Sequence, residues 1–206
     1  MSNRGLVCIV DDDADVREAL SALLETVNLR AAVFASAGDF LAARRPEEPC
    51  CLVLDVRLPE LGGLEFQRVL AEKNIQIPII FITAHAEVPM SVRAMKAGAV
   101  EFLTKPVHDQ EFLDAVQSAL RADGLRREAE GDVAALRTRH RSLTPREQQV
   151  MALLVAGRVN KQIAGELAVS EVTVRLHRLQ VMRKMGVDSL VELARISEKI
   201  GDTLTP

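Results

Sequence analysis

Tryptophan and tyrosine are absent from the 206 residues, and only six phenylalanines occur. Platforms that stack single-stranded nucleic acid use aromatic rings, so this scarcity argues against that class of binding. No segment approaches the roughly 20 uninterrupted apolar residues of a membrane span. Cysteines are few, at positions 8, 50 and 51. Their spacing fits neither a metal site nor a redox pair, so they read as buried apolar residues in a reducing cytoplasm. The opening MSNRGLVCIVDDD passes from a short polar stretch straight into strand and acid, unlike a signal peptide.

What is present is a core-forming composition, 48% hydrophobic, at a length that suits one domain of about 120 residues and one of about 65. The net charge of -3 is unevenly spread. Residues 1–123 carry 12 Lys/Arg against 19 Asp/Glu, residues 124–139 carry 4 against 3, and residues 140–206 carry 10 against 7. An acidic front and a basic back suggest two domains, the second facing a polyanion.

Along the first 122 residues, short apolar runs alternate with helically periodic segments. The expected strands are 6–10, 31–35, 51–54, 79–83 and 101–104. Helical stripes are expected on Val16, Leu20, Leu23 and Leu24, on Leu64, Val69 and Leu70, and on Phe112, Val116 and Leu120. Alternating βα units predict an α/β fold, a doubly wound five-stranded parallel sheet with its ligand site at the carboxyl ends of the strands. Polar residues stand at those ends: Asp11, Asp12 and Asp13 after the first strand, Asp55 after the third, Thr83 closing the fourth, and Lys105 after the fifth.

The stretch CLVLDVRLPELGG, residues 51–63, shows the chemistry most plainly. A carboxylate at the tip of a buried strand is costly unless something there requires it. Carboxylates crowded at one rim repel unless a divalent cation sits among them, and Mg²⁺ suits oxygen ligands plus a phosphate. A lysine and a threonine hydroxyl can hold phosphoryl oxygens. One aspartate is then the nucleophile that accepts a phosphoryl group as an acyl phosphate, and Asp55, on the central strand, is the best placed.

IVDDD, LVLDVRLPELGG, FITAH and MKAGAVEFLTKP resemble the receiver domain of two-component response regulators over residues 5–122. The resemblance implies a flavodoxin-like fold and phosphoryl transfer from a sensor histidine kinase to Asp55. It also implies Mg²⁺ held by Asp11, Asp12, Asp55 and the backbone carbonyl of Arg57, and a cis bond between Lys105 and Pro106. Thr83 and Lys105 are the implied phosphoryl-binding partners, and Thr83 with Phe102 the implied switch pair. Phe102 stands where tyrosine is commoner and offers no hydroxyl. A phosphatase of the Asp-x-Asp kind would need an acid at the position of Arg57.

Residues 123–141 are charged and read as a helical linker extending the receiver's last helix. Beyond them a separate all-α domain of four helices is expected over 142–206, with a short helix near 161–167, a tight connection at 168–170 and a longer basic helix from Glu171. LTPRE, AGRVNKQIAGEL and SEVTVRLHRLQVMRKM resemble the LuxR/FixJ-type (NarL/FixJ subfamily) helix-turn-helix domain over residues 142–200. That resemblance implies that the third helix enters the major groove, the fourth pairs two subunits, and DNA meets Asn160, Lys161, Thr173, Arg175, Leu176, His177, Arg178 and Leu179. Arg175 stands where members often carry Lys, and Leu179 where some carry a second base-reading Lys.

Together these readings predict a cytoplasmic, phosphorylation-dependent transcriptional regulator. It is no enzyme beyond catalysing its own aspartyl phosphorylation and dephosphorylation. Its expected partners are a sensor histidine kinase, double-stranded promoter DNA, RNA polymerase and, on phosphorylation, a second copy, with no membrane. The alternatives are a phosphorelay intermediate and a ligand-sensing LuxR-type activator.

Overall fold

In the computed structural model of the chain, which describes residues 5–44 and 46–201, contacts divide the molecule into two units at Arg127–Glu128. The expected reading of the extreme N-terminus falls partly on residues 1–4, outside the described residues.

The first unit holds strands β1 (Leu6–Val10), β2 (Arg30–Phe34), β3 (Cys50–Asp55), β4 (Ile79–Thr83) and β5 (Glu101–Thr104). All pair in parallel in the order β2-β1-β3-β4-β5. Helices α1 (Ala14–Thr26), α2 (Ala37–Ala42), α3 (Gly63–Glu72) and α4 (Val88–Lys96) alternate with them, and α5 (Asp109–Arg141) follows the last. Because successive side chains on a strand face opposite ways, one sheet yields two cores. Val7, Ile9, Cys51, Val53, Ile80 and Ile82 pack under α1 and α5 against Leu24, Phe112 and Val116. Val10, Leu52, Leu54 and Phe81 pack on the other face with Phe66 and Leu70 of α3.

Several boundaries differ from the expectation, each for a local reason. β3 starts at Cys50 and keeps Asp55 as its last residue, paired with Ile82, so the carboxylate is part of the ladder rather than beyond it. β2 begins and ends one residue early, and α2 and α4 had no apolar stripe to announce them. On α3 the buried residues are Gly63, Phe66, Gln67 and Leu70, while Leu64 and Val69 are half-buried. Gln67 is buried because its amide donates to the carbonyls of Ala97 (3.1 Å) and Ala94 (3.4 Å), tying α3 to α4.

The second unit contains α6 (Pro145–Val155), α7 (Asn160–Glu166), α8 (Glu171–Met185) and α9 (Leu190–Ile200). Thr144 caps α6 in a reciprocal box with Glu147, and Pro145 takes the first helical position, where its missing N–H costs nothing. Ser170 caps α8 and Ser189 caps α9. Gly157 and Gly186 adopt positive φ after α6 and α8. Val150, Met151, Leu154, Ile163, Val174, Val181, Met185 and Leu193 close the core. Lys184 Nζ bonds Glu147 Oε2 at 2.6 Å, which holds the Glu147 carboxyl below its ordinary range.

The segment expected as linker, 123–141, is helical as the latter part of α5. Its first residues belong to the first unit, because Asp123 is fully buried there. Asp123 accepts from the Cys50 amide (2.9 Å), from Arg126 Nη2 (2.5 Å) and from Arg127 Nε (2.6 Å). Arg127 also donates to the carbonyls of Pro46 and Glu47. Burial pushes the Asp123 carboxyl up, but Arg126, the Cys50 amide and Arg127 outweigh it and hold it below the usual range.

All three cysteines are buried thiols. Burial pushes Cys8 up to about 12, and Cys50 and Cys51 upward as well, so none is a ready thiolate.

Candidate functional site

At the carboxyl ends of β1, β3 and β5, Asp11, Asp55 and Lys105 are brought together. Lys105 Nζ lies 2.6 Å from Asp11 Oδ2 and 2.9 Å from Asp55 Oδ2. The Lys105–Pro106 bond is cis, and the Lys105 amide donates to the carbonyl of Thr83 at 2.8 Å. Burial works against the Lys105 charge, but its hydrogen bonds to Asp11 and Asp55 prevail and raise its pKa above the ordinary lysine value. Asp11 is fully buried, and burial raises its carboxyl against the opposing pull of Lys105 and of the Asp13 amide.

The three consecutive acids divide their work. Asp11 turns inward, and its Oδ1 accepts from the Asp13 amide at 3.0 Å. Asp12 is exposed at the rim. Asp13 is the N-cap of α1, its carboxylate accepting from the Asp15 amide at 2.9 Å. One oxygen each from Asp11, Asp12 and Asp55 lies within 4.8 Å of the others. This oxygen-only set is of the kind a hard divalent cation accepts. Arg57 donates its amide to Asp55 Oδ1 at 3.0 Å, fixing the carboxylate from the β3–α3 loop. Gly63 permits that loop: a Cβ there would stand 2.4 Å from the Asp55 carbonyl oxygen.

Thr83 is buried at the end of β4, and its hydroxyl accepts from the His85 amide at 3.2 Å. Phe102 is half-buried on β5, its ring 6.1 Å from that of Phe81.

The second unit distributes its expected DNA residues unevenly. Lys161, Arg175, Leu176 and Leu179 are exposed. Thr173 hydrogen-bonds Ser170 through their hydroxyls at 2.8 Å, within the α8 cap. His177 and Arg178 are half-buried. Arg178 lines a recess with Asn160, Lys161 and Glu171, about 160–200° round the helix from Leu176. Among the described residues, Asn160 Oδ1 is buried with no hydrogen-bond partner. The expected contact residues therefore occupy two faces rather than one.

The Asp123 cluster escaped the sequence reading. Its signal was the placing of Arg126 and Arg127 three and four residues on, the spacing at which helical side chains meet.

Comparison with known proteins places these features in context. Residues 7–117 match the model of the response regulator receiver domain, and residues 141–197 that of bacterial regulatory proteins of the luxR family. The chain is similar to Nodulation protein W of Bradyrhizobium diazoefficiens, at 50% identity over 200 residues, covering 97% of this chain and 88% of that protein. Transcriptional regulatory protein FixJ of the same organism is 38% identical over 201 residues, with 98% of each chain covered. The solved structure of response regulator StyR, 48% identical, superposes with a TM-score of 0.85 over 95% of this chain and 99% of its own.

Proposed function

The chain belongs to the response regulator family, with a receiver domain and a LuxR-type DNA-binding domain, and on that premise we propose that Asp55 is its phosphoacceptor and α8 its DNA-reading helix. The observation that carries the first part is Lys105 Nζ held within hydrogen-bonding distance of both Asp11 and Asp55 at the strand ends.

A cation fixed there can bind a phosphoryl oxygen while the Asp55 carboxylate attacks phosphorus. The new O–P bond forms on Asp55 as the N–P bond of the sensor kinase's phosphohistidine breaks, the imidazole keeping the electron pair. Thr83 offers its hydroxyl to a second phosphoryl oxygen. Asp11, Asp12, Asp55 and the Arg57 carbonyl are the groups that would hold Mg²⁺. When bound, that ion supplies the positive charge that offsets repulsion between a phosphoryl dianion and the acids. Drawing Thr83 towards the phosphoryl group leaves room beside β4 for Phe102, the local shift that biases α4 and β5 towards pairing with a second copy.

The output is promoter binding in the cytoplasm, with RNA polymerase as the downstream partner. Apart from its own aspartyl phosphorylation and dephosphorylation the chain catalyses nothing. Among the described residues no helix is long and apolar enough to cross a membrane. The domain scheme that fits is a receiver over 1–122, a helical linker over 123–141 and a DNA-binding domain over 142–206, with the Asp123 cluster extending the receiver's contacts into the linker. A phosphorelay intermediate would not use the second unit, and a ligand-sensing activator would not use the acidic rim.

Acyl-phosphate labelling tests the assignment. Incorporation should need added Mg²⁺, fall to background with EDTA, and be lost in Asp55→Asn and strongly reduced in Asp12→Ala. Full, EDTA-resistant labelling of Asp55→Asn would falsify it.

A further inference from the structure

Helix α8 carries its most exposed apolar residues where a helix of a soluble domain ordinarily carries polar ones. Val172, Leu176 and Leu179 are 63%, 60% and 62% exposed. With Arg183 they fall within about 60° of one another around the axis. Val174, Val181 and Met185 fill the core from the opposite side. The domain's stability therefore makes no use of the outward row, and three large apolar side chains in line call for a cover.

We infer that this row reads thymine: Val172, Leu176 and Leu179 cover 5-methyl groups of thymines in the major groove. This rests on the placement of α8 in the groove proposed above. Charge identifies the occupant. α8 bears Arg175, Arg178, Arg183 and Lys184 against the single acid Glu171. Exposed Arg175 stands beside the row and exposed Arg183 continues it. A polyanion that also offers apolar groups is the ligand such a surface fits. In the major groove, the thymine methyl is the apolar group that a base edge presents. The row also accounts for Leu179, whose side chain cannot hydrogen-bond a base but is shaped for a methyl. Arg175 then reads a guanine edge beside a thymine-bearing step, and the preferred site combines the two.

The test starts from the DNA sites that the full-length, phosphorylated protein selects from random sequence. Each thymine of the best site is replaced in turn by deoxyuridine, which removes the methyl and keeps every hydrogen-bonding group. Binding is then measured by anisotropy for wild type, Leu176→Ala and Leu179→Ala. At two or more thymines, deoxyuridine should weaken wild-type binding about fourfold, the ratio set by burying one carbon group. That loss should disappear in the variant that lacks the matching side chain. Both side chains are exposed, so circular dichroism of the variants should match wild type, and any loss then reports contact rather than folding.

If no deoxyuridine changes the affinity while Arg175→Ala still loses preference at one base pair, the groove placement stands and methyl reading is wrong. If Arg175→Ala shows no position-dependent loss either, the groove placement itself fails. Deoxyuridine effects that persist unchanged in both leucine variants overturn the assignment to this row. If Leu176→Ala leaves DNA affinity intact but lowers self-association in sedimentation, the row belongs to a second copy of the chain and the inference is refuted.

Discussion

Side chains adjacent in sequence do unlike jobs here, and the backbone decides which. Asp11 is buried against Lys105, Asp12 faces solvent, and Asp13 caps a helix, although the sequence shows only three identical acids. The same holds on α8, where Arg175 is exposed and Arg178 lines a recess near Lys161. The two kinds of position should separate experimentally. Arg175→Ala should lose about 1–3 kcal/mol of preference at one base pair, the worth of a bidentate contact with guanine. Lys161→Ala should weaken all sites alike and reduce the slope of log affinity against log salt by about one, as loss of a phosphate contact does. Titrations of both variants against a specific and a scrambled duplex at several salt concentrations make the comparison.

At the level of elements, strands were legible and some helix faces were not. Four of the five strands are apolar runs closed by a polar residue, a pattern that survives without knowledge of neighbours. The buried face of α3 uses Gly63 and Gln67, residues whose burial depends on the Asp55 carbonyl and on α4, and neither partner can be read from local periodicity. The acidic rim was legible because functional polar residues recur at four of the five strand ends. Asp123 was not, since in a charged stretch a buried carboxylate looks like a solvated one. Its role predicts a particular acid response. The folded carboxyl sits below its unfolded value, so its contribution is complete above the ordinary carboxylate range and is lost as pH falls through the lower, folded value. Asp123→Ala should cost the first unit about 2 kcal/mol near neutral pH. The gap from wild type should close as the pH drops below about 4. Urea melts followed by circular dichroism are the measurement, because the chain has no tryptophan or tyrosine to report by fluorescence.

For the whole molecule, the expected consequence of phosphorylation is a change of assembly. Val88, Val92 and Met95 leave apolar surface exposed on α4, on the face that the Thr83–Phe102 shift would rearrange. Sedimentation at tens of micromolar should show a heavier species with beryllofluoride, a phosphoryl mimic, and a lighter one without it. An unchanged mass with the mimic bound at Asp55 would refute the coupling. One feature of β3 also governs where this chain can be divided. Its last residue is Asp55, and the amide of its first, Cys50, donates to Asp123, far along α5. A fragment ending at residue 122 keeps every strand and the acidic rim, yet leaves that buried N–H without its acceptor. A fragment ending at Arg127 keeps the bond and both arginines. The shorter piece should melt several degrees lower, as loss of about 1–2 kcal/mol does in a domain of this size. The limit of the domain is thus set by a hydrogen bond to a strand some 70 residues earlier, and composition along the chain gives no sign of it.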